Sequence, residues 1–131
     1  MEADTSTEAA VEAVLDRLAE VYVTRDVELL RTVFAPDPDV VMYSPGAKER
    51  FVGLSEIEAK AESDWSKSEA ASLAYRRTSV SAAGSVAWAA VDADFTVKAD
   101  GQETTLPVHI TFVLEKRGDE WLIVHAHYSL A

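Results

Sequence analysis

The chain contains no cysteine. That excludes disulfides and thiolate-held metal from its means of stabilisation. No apolar run approaches the ~20 residues needed to span a bilayer. The opening Met1-Glu2-Ala3-Asp4-Thr5 lacks the basic and apolar regions of a signal peptide. A cytoplasmic location with no membrane partner is therefore expected. Positive charge is scarce as well: 12 Lys and Arg against 23 Asp and Glu leave a net charge of −11, with no basic stripe. Such a chain repels phosphate backbones, so nucleic acid is not an expected partner. Repeats, linkers and low-complexity segments are missing too. What remains is an ordinary globular composition, 48% hydrophobic and 27% charged over 131 residues. That length suits one core and is too short for two, and the expectation is a single domain over residues 1–131.

From about Thr5 to Thr24, Val11, Val14, Leu15, Leu18, Val21 and Tyr22 recur at the helical period. Thr5 with Glu8 suggests a capping box. Asp26 can cap a shorter helix carrying Val27, Leu29, Leu30, Val33 and Phe34, ended by Pro36 and Pro38. Short strands are expected at Asp39–Ser44 and Phe51–Gly53, then a third helix from Ser55 to about Ser68 carrying Ile57, Ala61 and Trp65. Beyond Ala71 the pattern turns strand-like: Leu73–Ala82, Ser85–Lys98, Glu103–Lys116 and Trp121–Leu130. Ala83-Gly84, Asp100-Gly101 and Gly118-Asp119 supply hairpin chemistry between them. Helices first and an antiparallel meander afterwards make an α+β order, not βαβ.

This order, with Ala87-Trp88, Thr111-Phe112-Val113-Leu114 and Trp121-x-x-Val124-His125-x-His127-x-Ser129, resembles the nuclear transport factor 2-like superfamily. Arg25-Asp26-Val27-Glu28-Leu29-Leu30 with Phe34-Ala35-Pro36 matches its usual second helix. Within the superfamily the chain looks most like SnoaL-like domains and the association domain of calcium/calmodulin-dependent protein kinase II. The resemblance implies a cone: three N-terminal helices packed in a strongly bent, mainly antiparallel sheet, with a cavity at the open end. It implies no single activity, because relatives include isomerases, cyclases, dehydratases and non-catalytic oligomerisation modules. Where the kinase domain has cavity arginines, this chain has Ala90, Phe112 and Tyr128, so carboxylate binding by that route is not implied. Of the adjacent Arg76 and Arg77, only one can face inward.

Alternation in the last two strands places Phe112 and Tyr128 inside, with Trp121, His125, His127 and His109 on the outer face. Relatives commonly use that face for a homodimer. Three imidazoles on one face could also bind zinc. No carboxylate or cysteine ligand accompanies them, so the interface reading is preferred and neither metal nor cofactor is expected. Asp92 depends on register. The family alignment points Trp88, Ala90 and Asp92 into the cavity. Pure alternation, or a two-residue Asp100-Gly101 turn, would instead set Asp92 opposite His109 outside. Read inside, Asp92 is the candidate base and Tyr128 the candidate oxyanion donor, with Tyr43, Trp65, Trp88 and Phe112 as ligand-binding residues. The expected chemistry is cofactor-free proton transfer on an uncharged cyclic or polyketide-like molecule. The rival expectation is an oligomerisation or accessory module.

Overall fold

A computed structural model describes residues 1–46 and 48–131. The three helices are α1 (Thr5–Thr24), α2 (Val27–Arg31) and α3 (Gly53–Ser66), with two short strands between α2 and α3. They pack against a curved, unclosed six-stranded sheet of β1 (Val41–Tyr43), β2 (Arg50–Val52), β3 (Ala70–Ala83), β4 (Val86–Ala99), β5 (Gln102–Arg117) and β6 (Glu120–Leu130). The strand order is β2-β1-β6-β5-β4-β3. Every pairing is antiparallel except β1 with β6.

Helix ends follow local chemistry, with some shifts from expectation. The α1 cap is Asp4, whose carboxylate accepts from the Thr7 N–H at 2.7 Å, one residue before the expected Thr5–Glu8 box. Asp26 caps α2 as expected, accepting from the Glu28 N–H at 2.9 Å. That helix stops at Arg31, and after a turn at Thr32 and Val33 the chain bridges β6 in parallel at Phe34: the Ala35 N–H donates to the Ile123 carbonyl, and the Ile123 N–H to that of Val33. Gly53, at φ +82°, opens α3 two residues ahead of Ser55, a backbone conformation that glycine adopts freely.

The sheet curves at two bulges, one between Tyr75 and Arg77 and one opposite Val113 and Leu114. Each inserts one extra residue, bends its strand and changes which face the next side chains take. In β6 the extra residue is Val124: Val113 pairs with His125, and Leu114 with Ile123. Ala126 and Tyr128 therefore face inward on one side of the bulge, and Ile123 and Trp121 on the other. Trp121, expected on the outer face, is 6% exposed and belongs to the core. The same extra residue pairs His109 with Ser129, and His127 with Thr111.

The core lies between α1 and the concave face. Val11, Val14, Leu15 and Leu18 are buried against Leu73, Val80, Ile110, Phe112 and Ile123. No helix among the described residues is long and apolar enough to cross a membrane.

Candidate functional site

At one end of the cone the helices leave a cavity of about 320 Å³. Its walls are mostly apolar, with Leu18 and Val21 from α1, Phe34, Met42, Ile57 and Phe95 among them. That volume is within the range of small-molecule sites. Two phenols interrupt the apolar wall. Tyr22 extends from the last turn of α1, and Tyr128 from the inner face of β6; the Tyr22 hydroxyl donates to the Tyr128 oxygen at 3.0 Å. One proton of the pair is consumed by this bond, which leaves the Tyr128 O–H to donate to a third group. Edge contacts hold both rings: Tyr22 on Phe95 at 5.6 Å between centroids, and Phe112 on Tyr128 at 6.1 Å.

Burial makes both phenols harder to ionise. It pushes Tyr22 up to about 12, against the smaller opposing effect of its bond to Tyr128, and the negative charge of Asp64 adds to the rise. Burial likewise holds Tyr128 well above the ordinary tyrosine value. Both, protonated at neutral pH even at the ordinary value of about 10, stay protonated to higher pH. Tyr75, also raised by burial, gives its proton to the Leu15 carbonyl at 2.6 Å and has none to spare.

The charged part of the lining is Lys60 and Asp64 of α3 and Lys67, which caps the end of that helix. The Lys60 ammonium sits 3.0 Å from Asp64 and 3.8 Å from Glu49, over the Phe51 ring. Trp65 follows on the same wall, and the end of α3 is fixed by Arg25. Its guanidinium donates to the carbonyls of Trp65 at 2.7 Å and Ser68 at 3.0 Å, and to the Ser68 hydroxyl at 2.9 Å. A cation bonded to the last carbonyls of a helix meets both their unsatisfied acceptors and the negative end of the dipole.

Tyr128 and Trp65, of the residues expected at the site, line the cavity, and Phe112 lies fully buried directly behind Tyr128. Asp92 is elsewhere. Asp100 and Gly101 both have positive φ, 52° and 75°, and make a two-residue turn that pairs Ala99 with Gln102. Counted back from that turn, Asp92 pairs with His109. Its carboxylate is 3.6 Å from the His109 Nε2 and 43% exposed on the outer face. Ala87, Ala89, Val91 and Ala93 take the inner row instead. Trp88 follows Asp92 to the outside. Tyr43 does too, because Met42 is the buried residue of β1: its ring is 5.1 Å from His127, and its oxygen accepts from Arg50 at 3.2 Å. Neither Arg76 nor Arg77 lines the cavity.

The sequence reading missed Tyr22, Lys60 and Asp64 as cavity residues. Tyr22 had a visible signal: it closes the apolar stripe of α1 with the one hydroxyl that stripe carries.

The family model of the SnoaL-like domain matches residues 11–131. The chain belongs to the SnoaL-like domain family. No curated protein matches it in sequence. Among solved structures, a nuclear transport factor 2-like superfamily protein from Salmonella enterica superposes with TM-score 0.89 at 21% identity, over 98% of this chain and 93% of that one. A Xanthomonas campestris protein named for the calcium/calmodulin dependent protein kinase II association domain gives 0.80 at 24%, over 92% and 85%. A hexachlorocyclohexane dehydrochlorinase, LinA-type3 from Novosphingobium barchaimii, gives 0.83 at 10%, over 95% and 86%. At these identities the likenesses establish the SnoaL-like cone and leave its chemistry to the residues inside.

Proposed function

We propose that the cavity binds a small, uncharged, largely apolar molecule whose oxygen accepts a hydrogen bond from the Tyr22–Tyr128 pair. The observation that carries this reading is the spare proton of two hydrogen-bonded phenols at the wall of an apolar chamber. A carboxylate ligand is disfavoured there, because no arginine lines the chamber among the described residues, Lys60 already faces Asp64, and Lys67, the other lysine of the lining, is exposed to solvent. Proton transfer at the bound molecule would fall to Asp64, not Asp92. Asp64 is the carboxylate on the cavity lining, and its charge acts on the Tyr22 phenol. The SnoaL-like fold accommodates such enzymes: one solved neighbour is named a dehydrochlorinase.

The test is a thermal-shift panel of neutral cyclic ketones and polyketide-like aromatics, with matched carboxylic acids as the counter-set. Saturation at 100 Kd adds about 2.7 kcal/mol, which raises Tm by roughly 10 °C in a chain of this length. Tyr128→Phe should cost a neutral ligand about tenfold in affinity, one hydrogen bond's worth. Hits confined to the acids would refute the reading.

We also propose that the outer face pairs with a second copy of the chain. Its centre carries Trp88, Thr111, Val113, His125, His127 and Tyr43, with Asp92 at the margin. In a molecule of net charge −11, two copies associate most easily where acid is scarce and aromatic surface is present.

A further inference from the structure

The chain has three histidines, and all three stand on the outer face. His125 and His127 are two residues apart on β6. His109 lies on the neighbouring β5, diagonal to His127 because Thr111 is the direct partner of His127. We infer that association through this face is controlled by protonation of His125 and His127, so that the pair of copies forms at neutral pH and separates in mild acid. This rests on the self-association reading above.

The three imidazoles have different neighbours. His109 has a carboxylate within its own copy, Asp92 at 3.6 Å, so a proton on it is matched locally. His127 faces Tyr43 at 5.1 Å from β1 and Thr111 from β5. The β1–β2 turn brings Lys48, Glu49 and Arg50 to the same hollow; Glu49 is drawn toward Lys60, and Arg50 donates to the Tyr43 oxygen. His125 faces Tyr43, Val41 and Val113. Neither has a carboxylate paired to it, and Arg50 adds a positive charge beside them.

A two-fold pairing is self-complementary, and residues near its axis meet their own copies; with the axis at the centre of the patch, these are His125 and His127. Protonation would then place cations against cations where water has been excluded. It would also lower the overall −11 of each copy, which favours association. The local effect wins, because charges farther apart than about 8 Å are screened at physiological ionic strength, whereas groups within the contact are not. Imidazole is the side chain whose ordinary pKa, about 6.5, lies in this range. If one imidazole per copy must be neutral in the pair, linkage weakens association about 100-fold between pH 8 and pH 5.5.

Sedimentation velocity at pH 8.0 and pH 5.5, over a dilution series, tests this. The expected result is a dimer at pH 8.0 whose dissociation constant rises about 100-fold at pH 5.5. The double variant His125→Asn, His127→Asn, neutral at both values, should stay dimeric at both, while His109→Asn keeps the pH dependence. A monomer at pH 8.0 at every concentration overturns the self-association reading itself. A dimer of equal strength at both pH values leaves that reading standing and overturns this inference. If the double variant dissociates in acid as the parent does, the assignment to His125 and His127 is wrong. The side chains are at the surface, and a circular-dichroism melt of each variant verifies that the fold is retained.

Discussion

Arg25 occupies a backbone conformation that suits it poorly. It terminates α1 at φ 58°, in the left-handed region, where a residue with a Cβ is disfavoured by roughly 1–2 kcal/mol and glycine is not. A residue whose only task was to end the helix would gain from replacement by glycine. The side chain argues otherwise, since it donates three hydrogen bonds to the end of α3, to the Trp65 and Ser68 carbonyls and the Ser68 hydroxyl. A bond with one charged partner contributes about 1.5–3 kcal/mol net. Because three of them share one half-buried guanidinium, we assign the set about 3 kcal/mol. Arg25→Ala should then lose about 3 kcal/mol, and Arg25→Gly about 2 kcal/mol after relief of the backbone. With the usual entropy per residue, these correspond to falls in Tm of roughly 11 and 7 °C for 131 residues. Calorimetry on the two variants measures both numbers. Arg25→Gly should also weaken any cavity ligand beyond its effect on stability, because Trp65 loses its anchor. A glycine variant as stable as the parent, or more so, would refute the reasoning.

Other outcomes follow from the same geometry. Asp92→Asn should leave ligand binding unchanged by calorimetric titration, whereas Asp64→Asn should abolish any turnover and spare binding; the reverse pattern would restore Asp92 to the site. Arg117 holds Asp37 through two hydrogen bonds of 2.6 Å, which lowers the Asp37 carboxyl below its ordinary value. A depressed carboxyl contributes stability above its unfolded pKa of about 3.9 that is lost as pH falls. Asp37→Asn should therefore lower Tm at pH 7 and make little difference at pH 2. The buried phenols have the opposite sign: their folded values are raised, so the stability they contribute is present below pH ~10 and lost as pH rises through the folded values. A near-ultraviolet titration should show Tyr22, Tyr75 and Tyr128 protonated past pH 10 and ionising as the fold opens.

Element order and strand boundaries were legible in the sequence because they rest on local chemistry: helical periodicity in α1, alternation in β5, and glycine in each hairpin turn. The faces of particular side chains were harder, since each depends on counting residues from a turn or a bulge. The Asp100-Gly101 turn was one of two readings weighed, and it sends Asp92 outward. The bulge at Val124 had no signal in an unbroken run of strand-forming residues, and it moves Trp121 from the outer face to the core. Tyr22 was placed correctly on the apolar stripe of α1. That its hydroxyl meets Tyr128 involves two residues 106 positions apart, a separation that no local pattern spans.

The placement of the three tryptophans gives the molecule a set of internal probes. Trp121 is sealed in the core, Trp65 stands in the cavity wall, and Trp88 rests on the outer face. Indole emission shifts with the polarity around the ring. Each of the three events open to this protein, unfolding, occupation of the chamber and contact with a second copy, therefore alters the light from a different residue. Replacing two tryptophans at a time by phenylalanine would separate the three signals without adding a label.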